Sequence, residues 1–395
     1  MKELLSPAGN MECLKAAIHN GADAIYLGGK SFGARAFAGN FTNEELKEAV
    51  NYAHLYGVKI YVTANTIIYN NEIKDFLEYI KYLYQIGVDA LIMQDIGMIS
   101  LVRKIFLDIE VHASTQCHNH NSEGIKLLKS LGVTRVVLDR EMSLKEIENI
   151  NIDIEKEVFI HGALCNSYSG CCLFSFMNGG RSGNRGECTQ VCRLPFKLIK
   201  NGKYIDTPNK YLLSTKELNT ISNFDKLLDS DIVSFKIEGR MKTALYVATV
   251  ARTYRLAIDD FLKDPELYKS RIPFYKSEIS KCTYRQYTTG FFFGKPDENT
   301  QIYESNTYIK EYTYLGIVGD MNEEGLYNIE QRNKFSVGEQ IEVMKPDGEN
   351  IQVTVRRITD DKGKDMESCP HPKQQLYIDL GVKLDRYDIL RRKED

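Results

Sequence analysis

Four near-repeats constrain the fold more than any other feature of the chain. GADAIYL (21–27), GVKIYV (57–62), GVDALIM (87–93) and GVTRVVL (132–138) each set a glycine ahead of a short run rich in β-branched and apolar residues. Glycine is the residue that ends a helix in a left-handed turn, so each repeat reads as helix stop followed by buried strand. Segments such as NEELKEAVNYAHLYG and SEGIKLLKSLG lie between them, with apolar residues three and four apart as on one face of a helix. Strands are predicted at Glu3–Leu5, Ala24–Leu27, Lys59–Ala64, Ala90–Met93, Glu110–Ser114, Arg135–Leu138, Val158–Ile160 and Ser234–Ile237.

Eight strand–helix units in about 265 residues fit a TIM-type (β/α)8 barrel. A doubly wound open sheet alternates in the same way, but no G-x-G-x-x-G follows the first strand. The expected organisation is a barrel over residues 1–265 with a cysteine-rich insertion at 161–210, a connector at 266–307, and a small β-barrel domain at 308–395. In that last region short β runs (TYLGIVGDM, GLYNIEQRN, EQIEVMKPDG, NIQVTVRRITD, QLYIDLG) are separated by turns such as Pro346-Asp347-Gly348, which suggests a closed barrel.

A net charge of −3 argues against a protein that coats nucleic acid or membrane indiscriminately. The opening MKELLSPAGN has no apolar signal region, and no apolar run approaches the roughly 18 residues needed to span a bilayer. A cytoplasmic protein with reduced thiols and no membrane segment is expected.

The chemistry concentrates in EVFIHGALCNSYSGCCLFSFMNGGRSGNRGECTQVCR (157–193), which holds five of the nine cysteines. Cys165, Cys172, Cys188 and Cys192 read C-x6-C-x15-C-x3-C, with Cys171 beside them. Four thiolates on a Gly- and Ser-rich segment can converge on a metal centre. Zinc ribbons use two tight pairs, and only Cys188/Cys192 has that spacing, so an iron–sulfur cluster ranks ahead of zinc. Disulfides need an oxidising compartment, and plain burial as small hydrophobes is the bland alternative.

Barrel enzymes place their chemistry where strands end. Those positions hold Ser6, Asn65, Gln94, Asp95, Ser114, Gln116, Asp139, Arg140, His161, Glu238 and Arg240. His161 leads straight into the cysteine segment and is a candidate to orient substrate or donate a proton. Arg240 is a candidate carboxylate or phosphate clamp, with Glu238 as its partner or as a proton acceptor. From Asn178 to Lys210 seven cations (Arg181, Arg185, Arg193, Lys197, Lys200, Lys203, Lys210) face only Glu187 and Asp206. That excess reads as an anion-binding face or, equally well, as a solvated hairpin with Asn201-Gly202 at its tip.

Gly29-Lys30-Ser31-Phe32-Gly33 matches G-x-S-x-G, but the following ARAFAGN is not the helix that a nucleophile elbow enters. There is no H-E-x-x-H, and no cysteine follows Cys192 at the spacing that a C-x3-C-x2-C motif needs. A cysteine protease pairing one thiol with His161 stays open.

The run E-x-F-x2-G-A-L-C-x4-G-x-C-x-F-S, from Glu157 to Ser175, resembles the signature of the peptidase U32 (collagenase-like) family, with Phe174 where the signature has an aliphatic residue. GGRSGNRGECTQVCRLP, LLSPAGNMECLKAAIHNGADAIYLG and the C-terminal NKFSVGEQIEVM and PHP extend the resemblance over nearly the whole chain. The chain looks most like the family's tRNA hydroxylases, which make 5-hydroxyuridine without oxygen, using prephenate; other members hydroxylate rRNA cytidine or ubiquinone precursors. The resemblance implies a 4Fe-4S cluster on Cys165, Cys172 and Cys188. Cys192 is the fourth thiol here, whereas the ubiquinone relatives take theirs from further along. It also implies tRNA as partner; on that reading Tyr168 or Phe176 can hold a base, Arg181, Arg185 and Lys197 phosphates, and Arg240 a small dicarboxylate. A paralogous or homo-oligomeric partner is left open. The alternatives are a peptidase, as the family name says, and a non-enzymatic RNA-binding accessory protein with a structural metal.

Overall fold

The computed structural model describes every residue except 1, 36–38, 208–209, 372 and 395. The middle of the ARAFAGN stretch, weighed above against an elbow helix, therefore lies outside the described residues.

Eight parallel strands form the barrel: β1 (Glu3–Pro7), β2 (Ala24–Leu27), β3 (Lys59–Ala64), β4 (Ala90–Met93), β5 (Glu110–Ala113), β6 (Arg135–Val137), β7 (Glu155–Ala163) and β8 (Ser234–Ile237). They pair side by side in chain order, and β8 bonds to both β7 and β1, which closes the ring. Helices α1 (Met11–His19), α2 (Asn43–Leu55), α3 (Ile73–Gln85), α4 (Ile96–Ile105), α5 (Ser122–Ser130) and α6 (Leu144–Glu148) return the chain between strands. The repeat glycines behave as their positions predict: Gly21, Gly57, Gly87 and Gly132 have φ of 88°, 68°, 82° and 87°, a conformation that a side chain disfavours.

Inside the barrel, Leu5, Ala24, Tyr26, Tyr61, Ala90 and Ile92 form an apolar layer. Toward the strands' N-terminal ends the filling becomes ionic. Arg135 bonds Glu3 (2.5 Å) and Glu157 (3.3 Å), and Glu157 takes Lys236 Nζ at 2.7 Å. Burial favours protonating Glu157, but Lys236, Arg135 and His112 outweigh it and hold the carboxyl below its usual range.

β7 is longer than its apolar run suggests, and its C-terminal half acquires a neighbour that the sequence reading missed. Glu217–Asn219 pairs with it antiparallel, matching Asn219 to His161, and Tyr287–Thr288 pairs in turn with Glu217–Asn219. Gly162 sits at this crossing with φ of 107°, where a Cβ would stand 2.3 Å from the Glu238 carbonyl oxygen, so only glycine lets β7 pass that close to the end of β8. Strands of three and two residues are too short to show periodicity.

The chain divides into two compact units: residues up to Ile18, Ala22–Lys242 and Arg285–Thr307 in one, His19–Gly21, Thr243–Tyr284 and Tyr308–Asp395 in the other. The helix Ala244–Lys263, read from sequence as the barrel's closing helix, is counted with the second unit. There its Arg252 is fully buried, donating to the Lys345 carbonyl (2.7 Å) and pairing with Glu278. The second unit's eight strands form one antiparallel sheet curled over Leu315, Val318, Ile329, Val343, Ile378 and Leu390. Its end strands, Asn350–Thr354 and Asp365–Met366, are not paired with each other, so the expected closed barrel is a half-barrel. The sheet buries its apolar face by curling, and closure is not needed to do so.

Candidate active site at the barrel mouth

The C-terminal ends of the strands open into a cavity of about 540 Å³ that the cysteine segment covers. Of the strand-end residues picked out above, Asn65, Ser114, Gln116, Arg140, Glu238 and Arg240 line it. Tyr26, Arg35, Thr63, Thr115, Phe159 and Lys236 line it as well. Arg35 is the guanidinium that sequence reasoning missed: it lies in the loop between β2 and α2, where no periodicity marks a residue as facing inward.

Charge on the wall is lopsided. Glu238 is the only carboxylate among the described lining residues, and Arg35 and Arg140 stand 3.7 and 3.6 Å from it. Burial would raise the Glu238 carboxyl, but Arg35 and Arg140, with Lys236 and Arg240 behind them, hold it below the usual carboxylate range. Arg240 is 4% exposed and donates to Thr63 Oγ1 (3.1 Å) and Asn40 Oδ1 (2.5 Å). Its burial pulls the guanidinium down to about 10, because a buried cation loses its hydration. Arg140 lies 3.9 Å over the Phe159 ring. Three guanidiniums around one carboxylate leave positive charge for a ligand anion, and planar forks suit a carboxylate or phosphate. The proposed clamp on Arg240 thus gains two arginines.

Cys165, Cys171, Cys172, Cys188 and Cys192 line the same cavity. All five are free thiols, so the disulfide reading has no support in the fold. The backbone builds three of the four as acceptors in the same way. The amide N–H two residues on points at the sulfur: Ser167 N to Cys165 Sγ (3.4 Å), Phe174 N to Cys172 Sγ (3.3 Å) and Gln190 N to Cys188 Sγ (3.4 Å). Such donors fix the direction in which each sulfur points. Burial pushes the Cys192 thiol up; Arg193 opposes this, and Cys165, Cys188 and Cys172 add to it. Among the described residues no three of these sulfurs lie within 4.8 Å of one another. Thiolates sharing one tetrahedral zinc at about 2.3 Å would stand about 3.8 Å apart. Four soft thiols on one cavity are the donor type that a four-iron cluster needs.

The remaining sequence candidates are placed elsewhere. His161 is fully buried behind the wall, covered by Glu217–Asn219 and with the Tyr287 ring 5.4 Å away. Burial drives its imidazole down to about 3, which keeps it neutral and makes it no proton donor at neutral pH. Arg185 is engaged within the fold: it holds Glu72 by two bonds (2.6 and 3.1 Å), donates to the Ile67 carbonyl and lies 4.6 Å over Tyr69. It ties the cysteine segment to the loop after β3. Arg193, counted in the basic stretch, is buried and bonds the Thr215 and Leu164 carbonyls. Arg181 is exposed, Lys197 lies 5.4 Å over the Tyr204 ring, and Tyr168 is 62% exposed. None of Arg181, Arg185, Lys197 and Tyr168 lines the cavity. The hairpin is as expected, with Leu198–Lys200 and Lys203–Ile205 joined through Asn201 and Gly202, both at positive φ. Among the described residues no helix is long and apolar enough to cross a membrane.

Residues 9–302 match the model of peptidase family U32, and residues 310–391 match the model of the peptidase family U32 C-terminal domain. The chain is 37% identical to the tRNA hydroxylation protein P1 of Bacillus subtilis, over 99% of this chain and 94% of that one. It is 44% identical to the 23S rRNA 5-hydroxycytidine C2501 synthase of Escherichia coli, over 66% of this chain and 40% of that one. It is 32% identical to the collagenase of Porphyromonas gingivalis over 74% of each.

Proposed function

Because the chain belongs to peptidase family U32, and because its relatives include proteins named for tRNA and rRNA hydroxylation, we propose that it is an RNA-modifying hydroxylase acting on tRNA. The finer reading is 5-hydroxylation of a wobble uridine, in the cytoplasm and without dioxygen, with prephenate as co-substrate. One observation carries it: one cavity is lined both by thiols and by Arg35, Arg140 and Arg240 around Glu238. Replacing a ring C–H by C–OH removes two electrons, which no side chain on this wall can accept. A 4Fe-4S cluster on Cys165, Cys172, Cys188 and Cys192 would, when bound, relay those electrons one at a time, the co-substrate being the acceptor of both. The chain's own residues do the rest. Arg35, Arg140 and Arg240 orient the carboxylates of the co-substrate, and Glu238, kept ionised by them, is placed to accept a proton. A wobble base is already unstacked, so it can enter a cavity of this size without melting a helix.

The collagenase relative favours a peptidase as the second reading. Among the described lining residues no histidine stands beside a thiol to serve as its base, since His161 is buried and does not line the cavity. Anaerobic purification with iron and sulfide analysis, together with nucleoside mass spectrometry of tRNA from a deletion strain lacking any redundant homologue, tests the proposal. Iron-containing protein and loss of 5-hydroxyuridine derivatives, restored by the wild type and not by Cys188→Ser, is the expected result. Colourless zinc protein and unchanged tRNA would sink it.

A further inference from the structure

Beside the cavity, where the cysteine segment leaves the barrel, a second group of side chains converges that the hydroxylase reading does not use. His120 follows the turn after β5, and Asp139 and Glu141 follow β6. One ligand atom from each, an imidazole nitrogen and two carboxylate oxygens, all lie within 4.8 Å of one another. Asp139 is 3% exposed. Its Oδ1 accepts from Thr115 Oγ1 (3.0 Å), while its buried Oδ2 receives no hydrogen bond and faces Nδ1 of His120. Glu141 accepts from the Ser169 amide (3.2 Å) and hydroxyl (3.0 Å), and Ser169 is tied to Thr115 at 3.0 Å.

We propose that His120, Asp139 and Glu141 bind one divalent transition-metal ion, separate from the thiol-lined centre. Two carboxylates share this spot, and among the described ion pairs neither has a lysine or arginine partner, Asp139 being paired with His120. A dication offsets the two negative charges and takes up the buried Oδ2, whose contact in the structure is Nδ1 of His120. One imidazole and two carboxylates are borderline-to-hard donors and suit manganese, ferrous iron, cobalt or zinc, whereas the thiols of the cavity are soft donors. Thr115 and Ser169 form the outer layer that orients both carboxylates. Ser169 stands three residues before Cys172, so the ion fixes the start of the cysteine segment to the end of β6.

Cobalt(II) is the probe, titrated anaerobically into the full-length protein carrying whatever cluster it holds as isolated, and followed by absorption and calorimetry. One equivalent is expected to bind with visible ligand-field bands and no thiolate-to-cobalt charge transfer. Asp139→Asn and Glu141→Gln each should weaken it by at least about tenfold. His120→Gln, at a partly exposed position, should do the same and decides the matter if Asp139→Asn does not fold. Absence of binding, binding unchanged in His120→Gln and Glu141→Gln, or a charge-transfer band would overturn the proposal and leave an ordinary histidine–aspartate ion pair.

Discussion

At the lower end of the barrel Glu157 lies between Lys236 and Arg135, and Arg135 also reaches Glu3, so each buried charge meets its opposite. At the upper end Arg35, Arg140 and Arg240 gather around Glu238, and positive charge is left over. The lower network is arranged for the folded chain itself, where an unpaired ion would be expensive. On the reading proposed above, the upper cluster serves a ligand. Matched charge inside a barrel therefore points to stability, and unmatched charge at its mouth points to a ligand of the opposite sign.

The largest effect should come from breaking the lower network. Arg135→Met leaves Glu3 without its cation and Glu157 with Lys236 alone, and should cost about 3–5 kcal/mol in denaturant unfolding; a loss under about 1 kcal/mol would erase the contrast between the two ends. Next, Arg240→Gln should lower tRNA-modifying activity about 10²–10³-fold, with the unfolding midpoint unchanged or slightly raised, because it removes a cation that burial already disfavours. If stability fell along with activity, the mouth arginines would be structural.

Between the two ends sits His161, a titratable group kept neutral by burial. Its folded value of about 3 lies below the unfolded value of about 6.5, so the unfolded chain binds the extra proton as the pH drops. Stability should therefore fall by about 2 kcal/mol from pH 7 to pH 5 on this account. His161→Gln should flatten that slope; an identical acid profile in the variant would show that His161 is reached by water. The smallest effect is expected at Glu72→Gln, which releases Arg185. A partly exposed pair contributes about 1 kcal/mol at most, but limited proteolysis within residues 164–193 should quicken. No change in cleavage rate would mean that the segment is anchored elsewhere.

The strand positions were readable because each depends on neighbours in sequence: a glycine stop, a run of β-branched residues, an amphipathic stretch. All eight barrel strands lie where those runs put them, and the thiol motif marked the segment that covers the mouth. The limits of β7, the extra strands at Glu217–Asn219 and Tyr287–Thr288, and the open edge of the C-terminal sheet depended on which edges found partners. A three-residue strand carries no such message.

Residue types and spacings alone determined that this chain alternates strand and helix, and that it brings several thiols to one loop. Only the tertiary structure decided which polar groups meet. It withdrew His161 behind the wall, engaged Arg185 with Glu72, and brought Arg35 from an unremarked loop to Glu238 at the far end of the barrel sequence. Backbone propensity is set by adjacent residues, whereas a charge acquires its role from whatever the closed barrel places within a few ångströms of it, and that proximity is not written in local order.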